Sequence, residues 1–355
     1  MSAIKGRGAP SNSESSRFAL PQREVDGDWL DRLHQMEDEE PPPLRTSVTE
    51  EHARTIITRN ASPDIGFEQS INAYRGCEHG CVYCFARPTH AWLDLSPGLD
   101  FESRLFVKPD AAALLRKELA HPRYQVKPIA LGTNTDPYQP IEARYKVTRA
   151  IVALLADCRH PLMITTKSDR VTRDIDLLAP MAADGLVAVG LSVTSLDPVL
   201  ARKLEPRAPH PRKRLAAIRA LSEEGVPVNA CISPIIPAIN EHEIEALVAA
   251  AAEAGACSVS SIPVRLPYEV APLFRAWLAE HFPDRAGKVM SILQSIRGGR
   301  DNDPEFGSRM RGQGPFAALI RTRFDKARRR HGLGNGRIML RRDLFVPPSD
   351  QGRLF

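Results

Sequence analysis

Short apolar runs, each closed off by Gly, Pro or polar residues, recur along the middle of the chain at Ile129–Gly132, Leu162–Thr166, Val187–Ser192, Val226–Cys231 and Ser258–Val264. Continuous apolar runs of this length predict strands buried on both faces, as in a parallel sheet. Between them the apolar spacing lengthens to that of a helix. Asp110 stands before Ala111–Ala120 as an N-cap, and Pro211–Glu224 carries Leu215, Ile218 and Leu221 on one face ahead of Gly225. Asn240 with Glu243 makes a capping-box-like start for the alanine-rich run to Ala254. A further strand at about Ser70–Tyr74 brings the β/α units to six. Six are too few for an eight-unit barrel, so the pattern predicts an α/β fold built as an open, partial (β/α)6 TIM-like barrel with its sites at the C-terminal strand ends.

The flanks have a different texture. Ser11–Ser16, the acidic Glu37–Glu40 and Pro41–Pro43 offer too little apolar surface to offset chain entropy. The expected organisation is therefore a largely disordered arm over 1–58, with one transient helical turn near Trp29–Met36, a core over 59–290 and a basic extension over 291–355. Across 355 residues, 43% hydrophobic and 26% charged content excludes collagenous, disulfide-scaffold and wholly disordered chains. The net charge is only +5, but Arg297–Arg330 holds ten basic and four acidic side chains, so the positive charge gathers near the C-terminus. The uncharged run Val226–Asn240 has 15 residues and three prolines, short of the about 20 that span a membrane. Met1–Gly8 lacks the apolar centre of a secretory signal, which predicts a cytoplasmic protein.

Six cysteines are too few for a disulfide-dense fold, and three of them fall in one loop, Gly76-Cys77-Glu78-His79-Gly80-Cys81-Val82-Tyr83-Cys84. This C-x3-C-x2-C spacing directly after a strand lets three thiolates converge on one inorganic centre, with Gly76 and Gly80 allowing the backbone to wrap it. Three thiolates would leave one iron of a [4Fe-4S] cube open to an exogenous molecule. The competing centre is a structural zinc with His79 or His90 as fourth ligand, although no second C-x2-C accompanies the loop. Cys158, Cys231 and Cys257 are isolated and read as small buried apolar residues.

The loop resembles the defining C-x3-C-x-aromatic-C motif of the radical S-adenosylmethionine (SAM) superfamily, matched by Cys77, Cys81, Tyr83 and Cys84. Tyr74–Cys77 through Phe85–His90, with Thr135–Pro140 and Glu205–Arg207, is similar to a bacterial branch related to spore photoproduct lyase, a likeness covering roughly residues 50–355. The resemblance implies an enzyme whose cluster on Cys77, Cys81 and Cys84 binds the amino and carboxylate groups of SAM. It further implies reductive cleavage to a 5′-deoxyadenosyl radical, and an external electron donor such as flavodoxin or ferredoxin. Spore photoproduct lyases carry a hydrogen-donating cysteine near the position of Thr133. This chain has none there, so dimer reversal does not carry over with the motif.

Strand ends supply the remaining expected contacts. Gly132 permits close approach, and Thr133, Thr135 and Asp136 offer oxygens to the SAM ammonium, unless Asp136 only caps the turn before Pro137. Ser168, beside Lys167, and Ser192 and Thr194 place hydroxyls where the ribose would lie, and hydroxyls also serve as helix caps. Arg207 is the expected partner of the methionyl carboxylate, with Lys167 next in line. Ile232–Pro237 resembles the family's apolar adenine cradle. Cys231, at a strand end facing the site, is the candidate catalytic thiol.

Arginines interleaved with glycines over 297–314 and a basic helix over Pro315–Arg330 predict a nucleic-acid surface. Gln351–Phe355 resembles the tail by which bacterial repair proteins engage the sliding clamp. DNA repair or modification is therefore the leading function. A radical modification of protein or a small molecule is the alternative, and a zinc-containing nucleic-acid-binding adaptor is the rival from another class.

Overall fold

The computed structural model describes residues 6–12, 15, 17–18, 44–336 and 338–349. The expected helical turn near Trp29–Met36 and the clamp-like tail lie outside them. All six expected strands form. They are β3 (Gln69–Ile71), β6 (Ile129–Leu131), β7 (Leu162–Thr166), β8 (Val187–Ser192), β9 (Val228–Cys231) and β10 (Ser258–Ser260), parallel to one another in the order β10-β9-β8-β7-β6-β3. An antiparallel edge strand, β2 (Ile57–Arg59), extends the sheet beyond β3. Among the described residues β2 and β10 do not pair, so the sheet stays open as the unit count predicts.

A second, three-stranded sheet joins β1 (Ser47–Glu50) and β4 (Tyr74–Arg75) to the two sides of β5 (Arg104–Val107). This corrects the expected arm boundary at residue 58. Residues 47–59 contribute strands, and Arg7, Gly8 and Ala9 are buried. Their ordering depends on a distant partner: Gly8 N and Ala9 N donate to Glu102, at 2.9 and 2.8 Å, and Arg7 donates to the Glu102 carbonyl at 2.6 Å. Composition alone does not report such a contact.

The apolar runs predict strands buried on both faces, but in β7, β9 and β10 only one face is fully buried and apolar. Ile129, Leu131, Leu162, Ile164, Val187, Val189, Leu191, Val228, Ala230 and Val259 belong to the main core. The opposite face carries Thr165, Gly190, Asn229, Cys231, Ser258 and Ser260, because side chains alternate along a strand. The register pairs Thr165 with Gly190, Gly190 with Asn229, and Cys231 with both Ser192 and Ser260. A polar stripe therefore crosses the concave side.

Helices Ala111–Leu119, Pro211–Glu223, Ile244–Glu253 and Gly314–Arg330 lie close to where the period places them. Two expected caps are corrected. Asp110 makes no capping bond and instead lies 2.6 Å from His52 Nδ1. Asn240 and Glu243 form no capping box: Asn240 bonds Ile236 N, Thr194 O and Pro234 O, while Glu243 accepts from Ser195 Oγ and Leu196 N. Both tie the loops after β8 and β9 together at the C-terminal strand ends.

The basic extension is built onto the core. Helix Gly314–Arg330 packs against helix Ile244–Glu253, and Gly334 bridges to Ser258 on the edge of β10. Among the described residues no helix is long and apolar enough to cross a membrane.

Candidate active site

The cysteine loop leaves β4 and is fixed by backbone bonds on both sides, Cys77 N to Phe101 O at 2.9 Å and Val82 N to Leu204 O at 3.1 Å. Its back is held by a fully buried guanidinium. Arg87 donates to the carbonyls of Gly80, Cys81, Pro97 and Gly98 at 2.9–3.2 Å and forms an ion pair with the equally buried Glu102. Gly80 has φ +70°, and a Cβ there would lie 2.8 Å from Glu102 Oε2, so the loop must have glycine at that point. The front is stitched by Gln139, whose amide donates to Gly76 O at 3.2 Å and accepts from Glu78 N at 3.0 Å. That gives Thr135–Pro140 a role the sequence did not reveal: its glutamine shapes the cysteine loop.

Cys77, Cys81 and Cys84 face one cleft of about 480 Å³, with Cys77 and Cys81 buried and Cys84 partly exposed beside Phe85. The opposite wall comes from strand ends: Gly132, Thr133, Thr135 and Asp136 after β6, Thr165 and Lys167 at the end of β7, and Ser192 at the end of β8. Gly132, at φ +85°, would place a Cβ 1.9 Å from Thr165 O, so only glycine allows β6 to pass β7 this closely. Burial pushes the Cys77 thiol well above its ordinary range, with Asp136, Cys81 and Cys84 adding to it. Burial likewise raises Cys81, opposed by the Lys167 cation and reinforced by Glu205 and Cys84. Three mutually repelling thiolates become stable together only beside strong positive charge, and a coordinated metal supplies it. The loop fits a cluster on this ground. Among the described residues no three His, Cys, Asp or Glu side chains converge as ligands of one ion, and thiolates binding separate irons need no such convergence.

Asp136 is turned to structural work. Its oxygens accept from Tyr138 N (2.9 Å), Thr166 Oγ1 (2.6 Å) and Lys167 N (2.7 Å), and His79 Nδ1 lies 3.3 Å away without hydrogen-bond geometry. Burial raises its pKa, but His79 and these donors outweigh it and hold the carboxyl at about 2. Its capping alternative is thus the geometry found. The neighbouring hydroxyls are engaged too, Thr135 Oγ1 donating to Tyr74 O at 3.3 Å and Thr133 Oγ1 lying 3.3–3.4 Å from the Asn72 amide, but each keeps the capacity to accept. His90 is buried behind the loop, edge-on to Phe101 and 2.9 Å from Arg104 O.

A second buried network centres on Glu205. Tyr83 Oη and Thr194 Oγ1 donate to one of its oxygens, and the buried Arg214 pairs with the other. Burial raises the Glu205 carboxyl, yet Arg214, Lys167 and the two hydroxyls bring it down to about 2. Lys167 lies 5.7 Å from the Tyr83 ring and stays charged, because Cys81 and Glu205 outweigh its burial.

Four expected cofactor residues do not line the cleft. Tyr83 and Thr194 are engaged by Glu205, and Ser168 caps the turn at Arg170 N (3.3 Å). Arg207 points away, its guanidinium 3.0 Å from Glu78 and its amide on His79 O. A guanidinium three residues beyond helix Pro198–Leu204 reads the same in sequence whichever side of the loop it faces. Of the isolated cysteines, Cys158 is buried, Cys231 is partly exposed on the polar stripe 3.2 Å from Asn229 Nδ2, and Cys257 is exposed rather than buried. Phe85, Asn134 and Thr165 line the cleft without having been anticipated.

Comparison with known proteins agrees with this geometry. Residues 71–251 match the model of the Radical SAM superfamily. An uncharacterised protein of Mycobacterium tuberculosis is 40% identical over 230 residues, 64% of this chain and 68% of its own length. One of Methanocaldococcus jannaschii is 34% identical over 178 residues, 50% and 64% respectively. A spore photoproduct lyase mutant superposes with a TM-score of 0.56 at 17% identity, covering 88% of this chain and 94% of its own. The lyase complexed with dinucleoside spore photoproduct gives 0.55 at 16%, covering 86% and 92%. The fold is theirs. With half the sequence inside the family model, the chain belongs to the radical SAM superfamily and is a radical SAM enzyme.

Proposed function

We propose that Cys77, Cys81 and Cys84 hold one [4Fe-4S] cluster and that the strand-end wall opposite them receives SAM. The observation that carries the reading is that the three thiols share one cleft with Thr133, Thr135, Lys167 and Ser192. When bound, the cluster and SAM together supply a 5′-deoxyadenosyl radical that abstracts hydrogen from a substrate. The chain's own residues bind and orient. Lys167, a charged group on the cleft wall, meets the methionyl carboxylate in place of Arg207. The hydroxyls of Thr133 and Thr135 face the ammonium, and Gly132 lets the cofactor approach the sheet. Glu205, through Tyr83 and Arg214, fixes the inner side of the loop. Cys231 stands on the polar stripe between Ser192, which lines the cleft, and Ser260, as the candidate thiol for the substrate step.

Lys167→Met should weaken SAM binding by about 1.5–3 kcal/mol, the range for a charge-assisted hydrogen bond. Arg207→Ala should leave it within twofold, as read by calorimetric titration of the reconstituted protein. Equal losses in both would return the carboxylate to Arg207.

Nucleic acid is the substrate class we favour. It is supported by the fold shared with a lyase that binds a dinucleoside photoproduct and by the cations near the C-terminus. Several of those are already engaged: Arg297 with backbone carbonyls, Arg309 with Asp64 and Arg323 with Glu245. Arg311, Arg329 and Arg330 make no side-chain bond among the described residues. Replacing these three with Gln should flatten the salt dependence of duplex binding by up to three phosphate contacts' worth of slope, about 0.9 each. An unchanged slope would move the substrate to a protein or small molecule.

A further inference from the structure

We propose that a cationic cleft on the outer side of the cysteine loop docks an acidic electron-donating protein, an inference that rests on the cluster assignment above. The segments after β7 and β8, including helices Pro198–Leu204 and Pro211–Glu223, bring Arg170, Arg202, Arg207 and Lys213 around a cleft of about 790 Å³ that His79 also lines. All four cations are exposed. Among the described residues the side chains of Arg170, Arg202 and Lys213 make no hydrogen bond or ion pair, and only Arg207 is neutralised, by Glu78 at 3.0 Å. Asp169 is the one carboxylate on the lining. Three unpaired cations against one lining carboxylate leave the cleft net positive, and a cleft in which one sign predominates focuses the field on an oppositely charged visitor.

The position of the cleft selects the kind of visitor. His79 lines both this cleft and the one that holds the cysteines, and it is buried between them. With the Arg207–Glu78 pair it forms a wall. A molecule on the outer side cannot touch a radical formed on the inner side, so the outer cleft is not a substrate site. An electron, in contrast, crosses packed protein without contact between the reacting groups. The docked protein gives up one electron, the oxidised cluster gains it, and no bond or proton changes hands. Steering by charge would raise the encounter rate and make it fall with ionic strength.

The test uses reconstituted full-length protein, reduced flavodoxin as the acidic donor, and the triple variant Arg170→Glu/Arg202→Glu/Lys213→Glu. Bleaching of the cluster absorbance after rapid mixing at low salt should slow at least tenfold in the variant and lose its dependence on ionic strength. Calorimetric affinity of the cluster-free chain for flavodoxin should weaken by a similar factor. Reduction by dithionite, SAM cleavage driven by dithionite and the thermal midpoint should match wild type. A variant that takes electrons from flavodoxin at the wild-type rate with the wild-type salt slope overturns the proposal. So does one that reduces normally but loses duplex DNA affinity, which would assign the cleft to nucleic acid. Wild-type protein that assembles no iron is a different failure, detected before flavodoxin is added, and it removes the cluster assignment itself.

Discussion

Replacing any one of Cys77, Cys81 or Cys84 with alanine is expected to abolish iron binding and SAM cleavage together. Each thiol is one of only three on the loop, and a cluster that loses a protein ligand has no other cysteine within the cleft to recruit. Cys158→Ala, Cys231→Ala and Cys257→Ala should keep their iron, because these side chains stand on the core, on the polar stripe and on the surface. Cys231→Ala has a further expected signature. If its thiol takes part in the substrate step, substrate turnover falls while iron content and SAM cleavage persist. Full cleavage by any of the three loop variants would remove that cysteine from the ligand set.

The largest effect on stability is expected at Arg87. It and Glu102 are both fully buried, and Arg87→Ala would strand the carboxylate while freeing four carbonyls, two of them in the cysteine loop. Removing one partner of a buried pair costs about 3–5 kcal/mol, far more than the pair contributes over an apolar replacement. Urea unfolding of the cluster-free chain should record that loss, and iron occupancy should fall with it. Arg87→Met combined with Glu102→Gln should recover part of the stability, since no uncompensated charge then remains. A loss below about 1 kcal/mol in Arg87→Ala would mean the pair is not the anchor of the loop.

Sequence reading reached the parallel strands because each is a short apolar run with clear ends, and it placed three cysteines in one cleft because their spacing lies within one loop. It missed what depends on distant partners. The strands β1, β2, β4 and β5 are two to four residues long and carry no period of their own. Arg7–Ala9 looks like the rest of a polar arm until Glu102, some ninety residues on, is placed beneath it. Asp136, Thr194 and Arg207 have the right chemistry for a cofactor and stand near strand ends, but they are claimed by Thr166, Glu205 and Glu78. Only the tertiary arrangement separates a group that waits for a ligand from one already satisfied. Gln139, Glu205 and Arg87 show the converse: they fall in the segments that carry the resemblance, with no role legible in sequence, and are buried scaffolding of the loop in the fold.

The measurement that bears most directly on the account is the metal and product analysis of wild-type protein reconstituted without oxygen. About four irons and four sulfides per chain are expected, with an electron paramagnetic resonance signal on reduction that changes when SAM is added, and with 5′-deoxyadenosine released. Zinc bound in place of iron, or an iron centre whose signal ignores SAM and yields no 5′-deoxyadenosine, would contradict it.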